Sequence, residues 1–328
     1  MRRVIAAAKN GVAFPYEKDS SALVLSCPQG VYSSARTVHS KFIFALESHL
    51  KRLGASVHLA THVMTVGFPL VQPTKTILKD AGDDELAQLV KPRVLATLRA
   101  AMDDLKQQNA FSDDQEFKLT MIMQPFPTAT KMTDVVANQG DIYCHVGVMC
   151  AKDAKNVRVE VAGQPRNNPL VKDLQWAKDR EALYAAMSPN TEEIILMDPN
   201  TRWLYEGSQT NFYVVQNNRV VTAEEGILKG TMRDLVVESC AALGIPVELR
   251  SPRLDEVDEW SGAFLTSTSR VLMPIKTFAY PAKEEGGHSG SAKKPTAEKV
   301  WPSTCSIIDR LSAHMFKTVQ THATKVFD

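Results

Sequence analysis

The chain has 328 residues, 44% apolar and 23% charged, with a formal net charge of +1. That is apolar material for one large domain or two ordinary ones. The near-neutral balance leaves no electrostatic footprint for nucleic acid or an acidic membrane surface, and no apolar run approaches the roughly 20 residues of a spanning helix. The five cysteines, Cys27, Cys144, Cys150, Cys240 and Cys305, show no paired spacing and read as free thiols in a reducing compartment. Cys144-His145 with Cys150 invites a metal reading. On a strand, however, Cys144 and Cys150 share one face and His145 takes the other, and there is no second cluster, so no metal is expected. The start of the chain is acid-free up to Glu17, as an organelle-targeting segment would be, but it is short and lacks serines. Val4 to Ala8 reads instead as a first strand, and the expected location is the cytoplasm, with the mitochondrion second.

In chain order, Ser20 to Cys27 reads as a strand closed by Pro28-Gln29-Gly30. Val31 to Val38 alternates and reads as a second strand, Phe42 to Leu46 as a third. The period then changes: His49, Leu50, Leu53 and Val57 follow helical spacing, which predicts a helix over residues 47–60 with Arg52 inside it. A long helix over residues 84–109 carries Leu86, Val90, Val94, Leu98, Met102 and Leu105 on one stripe, with Pro92 kinking it or dividing it in two. Phe117 to Met123 and Asp141 to Met149 read as strands. The polar run 151–156 is the expected linker, dividing a domain over 1–150 from one over 157–328. A helix is expected from Asp173 onward, and a polar Gly/Ser-rich surface loop over 281–295.

Three stretches carry chemistry. Glu206-Gly207-Ser208 is a turn-prone run, entered from Leu204-Tyr205 and followed at once by the buried-strand pattern Phe212-Tyr213-Val214-Val215. From this stretch alone Glu206 is open to two readings, a placed carboxylate or a surface residue of a hairpin. Gly226 to Arg233 is a Gly-rich turn feeding a helix that ends at Gly244, and such a helix start offers unpaired N–H groups and a positive dipole end to an anion. Ala263 to Arg270 is an apolar strand running into Ser267-Thr268-Ser269.

The pattern E-G-S-x-x-N-F at Glu206 to Phe212 resembles the signature of the class IV aminotransferases, the fold-type-IV pyridoxal-phosphate (PLP) enzymes. The G-V-Y-x-x-x-R-T and H-L-x-R-L-x-x-S blocks around Tyr32 and Arg52 are similar to that family's amino-terminal domain. The resemblance implies an α/β (α+β) fold of two domains with the cofactor between a smaller amino-terminal and a larger carboxy-terminal part. It also implies that Lys172 forms the Schiff base with pyridoxal 5'-phosphate, at a spacing from Glu206 similar to that in branched-chain aminotransferases. Glu206 would face the pyridine nitrogen. Arg52, the turn Gly230-Thr231-Met232 and the run Ser267-Thr268-Ser269 would hold the phosphate. Arg suits that task because its planar fork gives two parallel charge-assisted hydrogen bonds. Tyr32, Arg36 and Lys118 fall where relatives carry substrate-facing side chains; Arg270 either meets a substrate acid or caps its turn.

The spacing K-x-x-x-W-x-x-x-R in Lys172, Trp176 and Arg180 is similar to eukaryotic aminodeoxychorismate lyase-like and D-amino acid aminotransferase-like proteins. Two departures stand out: Ala177 where many relatives have a tyrosine on the cofactor phenolic oxygen, and Met232 where they often carry threonine. Three functions stay open. One is an aminotransferase moving an amino group between a branched-chain, apolar or D-amino acid and a 2-oxo acid. The second is an aminodeoxychorismate lyase releasing pyruvate and 4-aminobenzoate; the third is a non-catalytic binding protein on the same fold. The family habit is a homodimer, with small-molecule substrates and neither nucleic acid nor membrane as partner.

Overall fold

The computed structural model describes residues 4–67, 81–108, 115–125, 133, 140–149, 157–282, 295–302 and 304–328. The first part of the chain runs β1 (Ile5–Lys9), β2 (Val12–Phe14), α1 (Ser20–Ser26), β3 (Val31–Val38), β4 (Phe42–Phe44), α2 (Leu46–Gly67), α3 (Asp83–Gln107), β5 (Phe117–Pro125) and β6 (Gly140–Val148). There follow β7 (Val157–Val161), α4 (Leu174–Asp179), α5 (Glu181–Ala186), β8 (Glu193–Met197), β9 (Leu204–Gly207), β10 (Asn211–Gln216) and β11 (Arg219–Thr222). The chain ends with α6 (Thr231–Ala242), β12 (Val247–Leu249), a 3-10 helix (Leu254–Glu259), β13 (Trp260–Ser267), β14 (Val271–Tyr280), β15 (Ala297–Val300), α7 (Ser306–Thr321) and β16 (Ala323–Lys325). The expected linker over 151–156 and most of the expected 281–295 loop lie outside the described residues.

Two compact units result. One comprises Met1–Cys150, Val171–Lys178 and Val319–Asp328; the other comprises Ala151–Leu170 and Asp179–Thr318. The first unit thus gathers two segments from beyond the expected boundary at residue 150, and hydrogen bonding gives the reason. β4 pairs only with Thr37 and Val38 of β3, so the other end of that strand edge is open to a partner. The main chain around Lys172 takes it: Val31 bridges Asp173, the Tyr32 N–H donates to the Lys172 carbonyl at 2.9 Å, and the Leu174 N–H donates to the Gly30 carbonyl at 3.0 Å.

The first unit is a seven-stranded sheet of order β16-β4-β3-β5-β6-β1-β2, antiparallel throughout. Alternation sends Val31, Ala35, Leu119, Met121, Cys144 and Val146 into one core with the apolar stripes of α2 and α3. α3 is one helix through Pro92 rather than two. The proline removes the bond to the Gln88 carbonyl, at about 3 kcal/mol in an isolated helix. Its ring lies on the exposed side, while Leu86, Val90, Val94 and Leu98 are buried on either side of it and hold the helix to the sheet.

Residues 20–26, expected as a strand, are helical. The run Ala-Leu-Val-Leu has no period of its own, and the cap decides: the Asp19 carboxylate accepts the Ala22 N–H at 2.9 Å, and the turn buries the adjacent pair Leu23 and Val24 rather than alternate residues. Replacing Asp19 with alanine should lower stability by about 1 kcal/mol, read as a shift of the urea midpoint with unchanged slope. The single helix expected from Asp173 is two short ones, α4 and α5, parted at the buried Arg180.

The second unit is a nine-stranded sheet of order β12-β11-β10-β13-β14-β7-β8-β9, with β15 beside β14. β9 also pairs with β10, through Asn211 and Glu206, so the six strands β10, β13, β14, β7, β8 and β9 close on themselves. Val159, Ile195, Phe212, Val214, Leu265 and Phe278 belong to its core. The closing bridge falls on the E-G-S-x-x-N-F stretch.

Candidate functional site

In the first unit the motif residues of α2 form one stripe. His49, Arg52 and Ser56 are spaced three and four apart, which stacks them on a single helix face. Ser33 of β3 faces that stripe. Arg52 Nη2 donates to Ser33 Oγ at 2.9 Å and to His49 Nδ1 at 3.0 Å, and Ser33 Oγ lies 3.1 Å from His49 Nδ1. Burial, then the neighbouring charges of Arg52 and Lys172, hold His49 well below the ordinary histidine range, so it is neutral.

Lys172 is anchored by its own backbone. Its carbonyl accepts from Tyr32, its N–H reaches Ser56 Oγ at 3.5 Å, and the preceding Val171 is fully buried in the first core. Asp173 caps α4, accepting the Trp176 N–H at 2.7 Å. The amine is therefore held at a helix start, with Nζ 4.9 Å from the centre of the Tyr32 ring. Ala177 packs into a small apolar cluster with Tyr32, Leu23 and Leu174.

Tyr32 and Arg36 share one face of β3, and Arg36 pairs in register with Lys118 on β5, so these three candidates look out from the same side of the sheet. Burial lowers the Arg36 guanidinium from its ordinary range, partly offset by Glu116. His145 lies on this side too, and Cys144 on the other, as alternation requires; Cys150 lies outside the described residues. His145 is also lowered by burial, with Lys118 contributing.

These two histidines give a signed pH dependence. In the unfolded chain both bind protons below about pH 6.5, whereas the folded chain keeps them neutral to lower pH. Stability is therefore constant with respect to them above 6.5 and falls as the pH drops below it, by at most about 1.4 kcal/mol per pH unit for each. Urea midpoints at pH 7.5 and 5.5 measure this, and His145→Gln should flatten the difference.

In the second unit Glu206 is buried, with 4% exposure. Its Oε2 accepts the Leu228 N–H at 3.0 Å, and its Oε1 lies 3.5 Å from Nη1 of Arg166, whose side chain is equally buried. Asn211 donates from Nδ2 to the Leu228 carbonyl at 2.8 Å. Both polar groups of Leu228 are thus held by the E-G-S-x-x-N-F stretch, which locks the Gly-rich turn in front of α6. At Gly230, the N-cap of α6, an added Cβ would stand 2.5 Å from Asn211 Oδ1, and no side chain caps the helix start. Thr231 and Met232 begin the helix; Met232 is buried, so it offers an anion its N–H and not its side chain.

Ser267 closes β13 and Thr268-Ser269-Arg270 turn into β14, all half-buried, with the Arg270 N–H on the Ser267 carbonyl and Ser267 Oγ 3.4 Å from Ser269 Oγ. The next residue, Val271, is held at φ +60°, a strained backbone for a β-branched side chain, at an expense of order 1–3 kcal/mol. Arg270 lies 3.8 Å from Glu192 and donates to Met273 Sδ.

Gly207 cannot carry a side chain, because a Cβ there would collide with the Thr210 hydroxyl and press on Glu193. Gly207→Ala should destabilise the protein by about 2–4 kcal/mol and cost most of the cofactor affinity, read from the urea midpoint and a binding titration.

The α6 N-terminus, the hydroxyls of Ser267 to Ser269 and the Arg52 guanidinium are donor types that suit a phosphate, and Lys172 is a half-buried amine 4.9 Å from the centre of the Tyr32 ring. Sequence reasoning did not pick out Ser33, His49, Ser56, Asn211 or Arg166 as site residues. Three of the five, His49, Ser56 and Asn211, were specified in the quoted motifs; Ser33 falls on an unspecified position of one, and Arg166, in a loop of Gly, Pro and Asn, gave no signal.

The family described as Amino-transferase class IV matches residues 30–278. The chain belongs to the class IV aminotransferases. Branched-chain-amino-acid aminotransferase 5, chloroplastic, of Arabidopsis thaliana is 34% identical over 111 residues, 33% of this chain and 27% of its own length. The chain therefore spans under a third of that relative's length in the match. Two solved structures extend the likeness in fold to nearly the whole chain. The branched-chain aminotransferase of Thermoproteus uzoniensis with norvaline has a TM-score of 0.66 at 17% identity, covering 98% of this chain and 99% of that one. The branched-chain amino acid aminotransferase of Thermobaculum terrenum in its PLP form has a TM-score of 0.62 at 18% identity, covering 99% of both. Among the described residues no helix is long and apolar enough to cross a membrane.

Proposed function

We propose that this class IV aminotransferase moves an amino group between an amino acid, branched-chain or similarly apolar, and a 2-oxo acid, with pyridoxal 5'-phosphate attached at Lys172. The observation that carries this reading is the anchoring of Lys172 by Tyr32 and Ser56, in the same unit as the Ser33–His49–Arg52 cluster. The likeness to branched-chain aminotransferases supports it, and the residues present fit the cofactor. Arg52, Gly230, Thr231 and Met232 through their N–H groups, and Ser267, Thr268 and Ser269 would hold its phosphate; Glu206 would meet its ring nitrogen. When bound, the cofactor supplies an electron sink for the charge left at the substrate α-carbon.

The rest is done by the chain. Lys172 would serve as the acid and base that moves the proton at the substrate α-carbon. Glu206 is held at a fixed point by the Leu228 N–H on its Oε2 and by Arg166, 3.5 Å from its Oε1. Tyr32, Arg36 and Lys118 orient the substrate from one face of the sheet, and Arg270 guards the turn after β13. The reading extends to a cytoplasmic homodimer, supported by the family habit and by free thiols at Cys27, Cys144, Cys240 and Cys305; light scattering measures the assembly.

The test is an assay of leucine, isoleucine, valine and D-alanine as donors with 2-oxoglutarate as acceptor, beside pyruvate release from aminodeoxychorismate without an acceptor. Acceptor-dependent turnover of an apolar donor is expected. Acceptor-independent pyruvate release would replace this reading by the lyase.

A further inference from the structure

The Ser33–His49–Arg52 cluster has a fixed proton arrangement. A guanidinium has only donors, so His49 Nδ1, 3.0 Å from Arg52 Nη2, is an acceptor and the ring carries its proton on Nε2. The two protons of Nη2 are then committed, one to Ser33 Oγ and one to His49 Nδ1. His49 itself has 0% exposure, and its Nε2 has no hydrogen-bond partner among the described residues. Packing alone would be served better by an apolar side chain, since a buried N–H without a partner is destabilising.

We propose that His49 is a positioning residue for the phosphate of the cofactor: together with Ser33 it pins Nη2 of Arg52, so that the guanidinium is held in one orientation before the phosphate arrives. This rests on the reading of Arg52 as a phosphate ligand. A long arginine side chain loses rotamer freedom on binding an anion. Here the loss is taken at folding, by two hydrogen bonds that lie on one stripe of α2 and one strand of the sheet. Arg52 by itself could bind a phosphate; what His49 adds is a guanidinium already in one orientation.

The experiment uses the full chain and two probes, pyridoxal 5'-phosphate and pyridoxal, which lacks the phosphate. Dissociation constants for both are measured by absorbance titration, with circular dichroism confirming the fold of each variant. His49→Phe should weaken pyridoxal 5'-phosphate by about tenfold or more and leave pyridoxal within about twofold, so that the preference for the phosphorylated form collapses. His49→Asn, whose side-chain oxygen can stand near the place of Nδ1, should recover most of that preference, and Ser33→Ala should lose part of it. An equal loss for both probes would mean that His49 only packs, and would overturn the proposal. If Arg52→Gln abolishes the preference while His49→Phe keeps it, the proposal fails and Arg52 remains a phosphate ligand. If Arg52→Gln itself keeps the preference, the phosphate reading of Arg52 fails as well. Should His49→Phe not fold, His49→Asn and Ser33→Ala carry the test, and an unchanged preference in both overturns it.

Discussion

Replacing Lys172 with alanine should lower kcat by more than about 10³-fold and abolish borohydride trapping of the cofactor on the chain, with little change in stability. The expected loss is large because, on the proposed reading, one amine serves twice, as the covalent attachment point and as the group that moves the α-proton. The small structural effect follows from the way the residue is held. The Lys172 carbonyl accepts from Tyr32 and its N–H reaches Ser56, and both are backbone groups that alanine keeps. What alanine removes is a half-buried amine over the Tyr32 ring, a contact worth about 0.5–1 kcal/mol. The urea midpoint should therefore move little at pH 7.5. Below pH 6.5 a second consequence appears: Lys172 is one of the cations that keep His49 neutral, so its removal lets His49 take up a proton more readily and softens the acid destabilisation. Trapping on another residue in the variant, or kcat within tenfold of the parent, would remove Lys172 from the mechanism.

Much of this arrangement is legible in the sequence because it is local. The helix carrying Arg52 shows its period, and the same period that puts Leu50, Leu53 and Val57 in the core puts His49, Arg52 and Ser56 on an adjacent stripe. Alternation in β3, β5 and β6 correctly separates Cys144 from His145 and groups Tyr32 with Arg36. The failures have a common physical cause. Residues 20–26 are apolar without period, and a single capping carboxylate at Asp19 chooses the helix. The return of the Lys172 segment to the edge of β3 depends on β4 being too short to cover that edge, which no window of sequence contains. The closure of six strands through Glu206 and Asn211 is likewise non-local. E-G-S-x-x-N-F and the Gly-rich turn are recognisable as separate motifs, but only the fold shows that Glu206 and Asn211 together hold both polar groups of Leu228. Arg166 is the clearest omission, since nothing in a loop sequence announces a buried guanidinium.

That guanidinium sets the second large effect. Glu206→Leu should destabilise the protein by about 3–5 kcal/mol, because it removes the carboxylate beside the buried Arg166 side chain and deprives the half-buried Leu228 N–H of its acceptor. Arg166→Leu should lose a similar amount from the opposite side. The double substitution should lose clearly less than the sum of the two, since neither charge is then buried without the other, and a double-mutant cycle on urea unfolding reads the difference as a coupling of about 1–3 kcal/mol. Activity should not follow that pattern. On the proposed reading the Glu206 carboxylate meets the cofactor ring nitrogen, so the double variant should regain stability and stay as inactive as Glu206→Leu, with the visible spectrum of its bound cofactor altered in the same way. If stability losses simply add, Arg166 and Glu206 are neighbours without being partners. If the double variant recovers activity along with stability, Glu206 acts only by holding the Leu228 turn, and the ring nitrogen has another partner.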